Sequence, residues 1–570
     1  MHKNNQPKSN KALPPNKKKA KHGLLKWLPM AVLSLALMII IIDTTVLNVS
    51  LKTIVNDLNT DIQGIQWVIT AYSLTLAAFT ITGGRLGDIF GRKKMFMIGA
   101  VIFAVGSFIT SISHSVGVMI VGESIIEGIG AALMMPATAS LLVSTYRGRD
   151  RAIAFGIWGG VAGAASALGP ILGGYLTTNY SWRWAFRINI FVVILLLLGS
   201  MAIAEAREKN VSRKLDIMGI LLSSVGLFAF VYGIIESSNY GWLKATQAYK
   251  LLGHEVNVVG LSITPIAIII GIILLALFAL WENFVESQGR TPLVSMGIFK
   301  NRQFISGASV TALLSLGMVG LIFALPVFLQ SVQGLDALHT GIALLPLSLM
   351  VLISAPLSSI LNKKFTTKRI IQAGLSLAII ASWVLSRSIT PTATPLTLMP
   401  GLLLFGIGMG FVMAQASNLT LSAVSVEESG EASGVSNTLR QIGSSLGSAI
   451  IGAVLLTSLA TNLSNGISES KVIPDHAKSS ISKVVESQAS SVELGGQSAQ
   501  QQKMASIPAN IKEELRKIAD EASAKSSSQS MQIAGLFIIV ALGASSFLPN
   551  THDLEATTSN SSKRTHATQH

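Results

Sequence analysis

The chain contains no cysteine among its 570 residues. That absence excludes disulfides, thiolate metal sites and cysteine nucleophiles. Charge is also scarce: 12% of residues are Asp, Glu, Lys or Arg, about half of the roughly 25% usual in soluble domains. There is no P-loop GxxxxGK[ST] pattern and no constellation suited to enzymatic catalysis, so direct use of ATP is not expected. What remains is 50% hydrophobic and falls in long apolar runs, the pattern of a membrane protein. The formal net charge of +15 resembles that of a nucleic-acid binder, but much of it lies in short connections between apolar runs and in the first residues. This placement suits a bilayer and argues against nucleic acid.

About 20 apolar residues span a bilayer as a helix. Fourteen runs qualify, near residues 25–48, 65–86, 95–112, 116–143, 152–176, 184–204, 216–236, 262–284, 304–330, 341–361, 369–387, 396–420, 433–457 and 529–549. Alternate connections are basic: Arg85, Arg92, Lys93 and Lys94; Arg147, Arg149 and Arg151; Arg207, Lys209, Arg213 and Lys214; Arg290, Lys300 and Arg302; Lys363, Lys364, Lys368 and Arg369. The positive-inside rule places this set in the cytoplasm, and an even span count then puts both termini there. Residues 1–26 are rich in Lys, Asn and Pro and lack a small-residue cleavage site. They are expected to form a disordered cytoplasmic tail rather than a signal peptide. Residues 458–527 form a long external connection. Two helix-like segments are expected there, near Ala477–Val492 and Ile507–Ala524; the second has an apolar stripe at Ile511, Leu515 and Ile518. A hairpin packed on itself or on the outer rim, or a lid over an outward-facing site, fits that pattern.

GRLGDIFGRKK stands between the second and third runs, with Gly84, Asp88, Gly91, Arg92, Lys93 and Lys94. Glycines allow a tight turn where helices approach closely. Asp88 can pair with Arg92 or face the positive N-terminus of another helix. The fifth run carries GPILGG, with Gly169, Pro170, Gly173 and Gly174, spaced for close helix contact or, equally, for ordinary packing. The first motif resembles the signature loop of the major facilitator superfamily of secondary transporters. The second resembles the antiporter motif of its exporters. IIDTTVLNVSL, SWRWAFRIN, LPVFLQSVQGLDALHTGIALLP and SGVSNTLRQIGSSLG all resemble the fourteen-span drug:proton antiporters.

The resemblance covers roughly residues 28–457 and 529–549. It implies an all-α integral membrane fold with 14 transmembrane helices, two six-helix bundles and two linking helices. The divisions are then a 1–26 tail, a 27–204 bundle, 205–303 with the two extra helices, a 304–549 bundle that includes the 458–527 loop, and a 550–570 tail. It also implies a multidrug efflux transporter of a bacterial cell membrane, working as a monomer without a cofactor, with protons as coupling ion and a small-molecule substrate. Such transporters rock one bundle against the other around a midplane site. By family position Trp67, Tyr72, Phe323, Phe328, Gln330, Met413 and Gln415 are cavity candidates, although aromatic residues and methionines at membrane depth are more often packing residues.

Charge inside a membrane is costly and usually faces a cavity or a partner. Asp43 in the first run and Glu123 and Glu127 in the fourth are such charges. At four-residue spacing the two glutamates share one face of an α-helix. Together the three are expected to form an acidic wall for proton and substrate binding, with no metal site. Carboxylates crowded in a low dielectric resist ionising together, which suits reversible proton carriers. Here the chain departs from the family it resembles. The intramembrane arginine associated with proton transfer is Ser124, and the usual glutamine is Glu127. Arg440, in the thirteenth run, is expected to pair at the bundle interface or with an acid such as Glu431. The leading expectation is a proton-coupled exporter of lipophilic, cationic compounds. An exporter of a dedicated metabolite or antibiotic, and a proton-independent uniporter, are the alternatives.

Overall fold

The computed structural model describes residues 24–60, 62–205, 215–245, 249–251, 254–256, 261–425, 428–475, 478 and 509–550. Within these residues the chain forms fourteen long helices. The first seven are α1 (Leu28–Asp57), α2 (Ile62–Phe90), α3 (Arg92–Ser111), α4 (Val116–Thr145), α5 (Gly148–Asn179), α6 (Arg183–Gly199) and α7 (Ile217–Tyr240). They are followed by α8 (Ile263–Ser287), α9 (Arg302–Ser331), α10 (Ala337–Leu361), α11 (Thr367–Ser388), α12 (Pro395–Ser422), α13 (Ser429–Glu469) and α14 (Ala509–Ala544). Thirteen of them are long and apolar enough to cross a membrane. The remaining one, α9, has no charged residue after Arg302. The only strands among the described residues form a small antiparallel hairpin between α7 and α8, β1 (Tyr249–Leu251) and β2 (His254–Val256).

Helix starts follow from side chains that accept the otherwise unpaired first amides. Asp216 caps α7 through Gly219 N (2.9 Å), Ser262 caps α8 through Thr264 N (3.1 Å), and Asn301 caps α9 through Gln303 N (3.0 Å). The expected connection around GRLGDIFGRKK is shorter than a loop. The α2 helix runs through Phe90, α3 begins at Arg92, and Gly91 alone makes the turn at φ +109°. An L side chain rarely adopts that conformation, so glycine is required there.

Two main apolar cores form. One is built mainly on α1 to α6, among them Leu37, Phe96, Phe103 and Phe155, and extends to Leu227 of α7, Phe278 of α8, Leu293 and Val294, Phe304 of α9, Leu421 of α12 and Val435 of α13; the other gathers α9 to α12 and α14, among them Leu325, Phe328, Phe405 and Ile538. The partly buried Met413 packs against both. The two sets meet along α5 and α10 and along α2 and α13. The α7 helix lies against α2 and α13, and Ser224 Oγ donates to Ala78 O (3.0 Å). The α7 helix therefore covers the α2–α13 seam, and α8 packs on α7.

The expectation of separate helices within 458–527 is corrected in part. The segment from Ala509 is not an independent helix: it continues without a break into the last apolar span as α14. Likewise α13 runs on to Glu469. Their projecting ends pack on each other through Leu459, Leu463, Ile467, Ile518 and Ala522, with Ile511 and Leu515 alongside. The anticipated stripe thus faces α13. Residues 1–23, Phe323's side chain, the Ala477–Val492 segment apart from Lys478, and the 551–570 tail lie outside the described residues.

Candidate transport site

Asp43 of α1 and Glu123 and Glu127 of α4 are all buried, and one oxygen from each lies within 4.8 Å of the others. The structure therefore brings the three embedded acids together. It does not present them as an open wall between the two halves of the molecule. They are enclosed within the first set of helices, with partners on α3 and α6.

Ser107 Oγ of α3 donates to Glu127 Oε1 (2.7 Å). Asn189 of α6 points its side-chain amide at three acceptors: Asp43 Oδ1 (2.8 Å), Ser107 Oγ (3.2 Å) and Glu127 Oε1 (3.3 Å). Neither Ser107 nor Asn189 was singled out from the sequence. Asn189 lies in the quoted SWRWAFRIN stretch, and its amide in an apolar helix was the available signal. Asp43 Oδ2, Glu123 Oε2 and Glu127 Oε2 are buried without hydrogen-bond partners among the described residues. So is the hydroxyl of Tyr72, whose ring packs beside Gly128 in the field of the three acids.

The local backbone differs from the α geometry assumed in the sequence reading. Residues Ile120–Glu127 form a π-helical segment inside α4. Such segments are rare and frequent at functional sites. The α3 and α4 backbones come very close here: a Cβ on Gly106 would stand 2.6 Å from Glu127 N and from Gly122 O. Ser124, in the position of the family arginine, donates to Val68 O of α2 (2.7 Å). Its hydroxyl fixes α4 to α2 and brings no positive charge. No ion pair among the described residues reaches the three acids. At 4.8 Å, two unit charges repel by about 3.5 kcal/mol for an effective dielectric of about 20. The cluster therefore takes up protons or a cation rather than standing fully ionised and uncompensated. An all-oxygen donor set suits protons and hard cations.

The GRLGDIFGRKK motif fulfils both roles anticipated for its acid. Arg92 donates to Asp88 Oδ1 from Nε (2.9 Å) and Nη2 (2.8 Å), while Glu431 N in the first turn of α13 donates to Asp88 Oδ2 (3.0 Å). Gly84 faces the backbone of Gly430, where a side chain would collide. Lys93 Nζ donates to Ile203 O (3.0 Å), and its amide to Glu205 Oε1 (3.1 Å). The motif thus binds α2 and α3 to α13 across the two halves.

The second motif packs α5 on two partners at once. Gly169 and Gly173 lie against Thr45 and Val46 of α1; Gly174 lies against Leu338 and Pro170 against Gly341, both of α10. Of the two partners expected for Arg440, an interface contact is the one seen. The guanidinium reaches Met135 Sδ of α4 (3.7 Å), whereas the Glu431 side chain accepts from Ser295 N instead. Among the cavity candidates, Phe328 is fully buried in the second core, Gln330 is exposed, and Trp67 stacks on Tyr232 (6.1 Å between centroids). Gln415 is buried and donates to Ser358 Oγ (3.0 Å), tying α12 to α10.

Fourteen long helices, thirteen of them apolar enough to cross a membrane, define a multi-pass membrane protein. The chain belongs to the Major Facilitator Superfamily, whose model matches residues 33–448. That family consists of transporters rather than enzymes. The chain is 30% identical over 424 residues to the puromycin resistance protein of Streptomyces alboniger, covering 74% of this chain and 80% of the relative. It is 28% identical to the tetracenomycin C resistance and export protein of Streptomyces glaucescens, covering 74% of each chain. It is 28% identical to the multidrug efflux pump LfrA of Mycolicibacterium smegmatis, covering 73% of this chain and 78% of that one. Among solved structures, the proton:xylose symporter XylE aligns over 94% of this chain and 99% of its own, with a TM-score of 0.51 and 12% identity. That likeness concerns the fold alone.

Proposed function

We propose that the protein is a fourteen-span exporter of drugs or antibiotics that exchanges lipophilic, cationic compounds for protons. The observation that carries this reading is the convergence of Asp43, Glu123 and Glu127 in a buried site with no basic partner among the described residues. A cation entering would favour the ionised acids and release a proton; reprotonation would complete the cycle. The similarity to antibiotic-resistance and multidrug-efflux proteins supports export of antibiotics and drugs. The two bundles are residues 27–204 and 304–549, joined by α7 and α8, and the basic connections face the cytoplasm of a bacterial cell. The protein works as a monomer and needs no cofactor.

The test is uptake of a fluorescent lipophilic cation into proteoliposomes under an imposed proton gradient. Dependence on the gradient in the wild type, and loss of that dependence in Glu127→Gln, is the expected result. Transport by Glu127→Gln with an unchanged pH profile would remove Glu127 from the coupling role. Flux indifferent to the gradient in the wild type would favour a uniporter.

A further inference from the structure

Two carboxylates on different helices hold three successive amides of the segment that joins α8 to α9. Glu282 of α8 is fully buried, and its Oε2 accepts from Leu293 N (2.7 Å) and Val294 N (3.4 Å). The next amide, Ser295 N, donates to Glu431 Oε1 of α13. Glu431 N in turn donates to Asp88, which holds Arg92. Leu293 and Val294 are buried in the first core, so this short segment is anchored. Gly219 of α7 lies directly against Glu282 Oε1, where any side chain would collide. The chain of contacts therefore runs from the α2–α3 turn, through the first turn of α13, into the linker and onto α8. Nothing in the sequence motifs marks Glu282, which reads as one acid near the end of an apolar helix.

We infer that Glu282 is a positioning residue of the transport cycle: it fixes the 293–295 segment so that Glu431, and with it the start of α13, is held against Asp88. This inference rests on the alternating-access reading above. It assigns the α7/α8 pair a role in setting how readily the α2–α13 seam opens. A carboxylate accepting two backbone amides is strongly directional, and its removal leaves those buried donors without partners.

The cysteine-free chain allows a direct measurement. Ser433 of α13 is buried, so a Ser433→Cys variant in lipid nanodiscs reports opening of the seam through its maleimide labelling rate. Adding Glu282→Ala is expected to raise that rate roughly tenfold, while Glu286→Ala, an exposed acid one turn along the same helix, leaves it unchanged. Labelling of Glu282→Ala at the parent rate would overturn the inference. Should Glu282→Ala fail to yield folded protein, Glu282→Gln decides, with a smaller rise expected and none overturning. Because both carboxylates act through one segment, Glu282→Gln/Glu431→Gln should label no faster than the faster single variant. Multiplying effects would show two independent contacts and overturn the coupling. Labelling needs no substrate. A wild type that fails to export would therefore refute the proposed function and leave this result standing.

Discussion

Asn189 supplies one amide group to acceptors on three different elements, α1, α3 and α4. Losing it leaves Asp43 Oδ1 without a donor among the described residues and Glu127 with that of Ser107. A buried hydrogen bond to a charged or polar group is worth about 1–3 kcal/mol. Asn189→Ala should therefore slow gradient-driven transport by roughly tenfold or more while the protein remains monodisperse in detergent, as measured in proteoliposomes and by size-exclusion chromatography. At the C-terminal end of α1, Asp57 accepts from Arg183 Nη1 (2.5 Å) and Trp182 Nε1 (3.1 Å). Partial burial works to raise its pKa, but these two bonds and the charges of Arg183 and His114 outweigh it and hold the carboxyl below its usual value. With the folded value below the unfolded one, this contribution is fully present above about pH 4 and is lost as pH falls through the folded value. Asp57→Asn should lower the thermal midpoint at pH 7, and its difference from the wild type should close in acid, as scanning fluorimetry across pH would record. At this scale the sequence revealed the costly residues, Asp43, Glu123 and Glu127, because charge in an apolar run stands out. It did not reveal Ser107 or Asn189, whose roles exist only through contacts between helices far apart in the chain.

The helices themselves were legible from hydrophobic length. Local backbone form was not. The π segment of α4 depends on how closely α3 approaches at Gly106 and Gly122, a tertiary effect that the spacing of Glu123 and Glu127 does not encode. A π turn accommodates more residues per turn than an α turn. Deleting Ile125, a residue of the segment that faces outward, should therefore restore α geometry and preserve the flanking register. Glu123 would be turned away from Asp43 and Glu127. The expected outcome is protein that reaches the membrane with normal helix content by circular dichroism but has transport at background level. The same limit applies to residues 458–527. The apolar stripe at Ile511, Leu515 and Ile518 was readable, but the continuity of α14 through it was not, because polar composition alone marks where lipid ends and not where a helix ends.

For the whole molecule, the two halves meet along α5–α10 and along the α2–α13 seam, and the latter carries the Asp88, Arg92 and Glu431 contacts. The resemblance to the transporter family carried the two-bundle expectation; the first apolar core itself reaches across to Ala432 and Val435 of α13. The proposed orientation makes a clear prediction for the intact protein. Gln288 and Thr392 are exposed at opposite ends of the helix array by span order. In whole cells an impermeant maleimide should label Thr392→Cys and spare Gln288→Cys until the membrane is permeabilised. The reverse pattern would invert the assignment of faces.

The paired ends of α13 and α14 have a consequence for watching the protein work. At 1.5 Å per residue a 41-residue helix is about 60 Å long, roughly twice the thickness of the hydrocarbon core. One end of that rod is rooted at the Asp88 contact, and its far part is stiffened by α14. A tilt of about 10° at the membrane, the kind of motion rocking bundles make, would sweep a tip about 30 Å away through about 5 Å. The rod is a built-in pointer: a spin label or fluorophore at its outer end converts a small rotation inside the bilayer into a displacement measurable from outside.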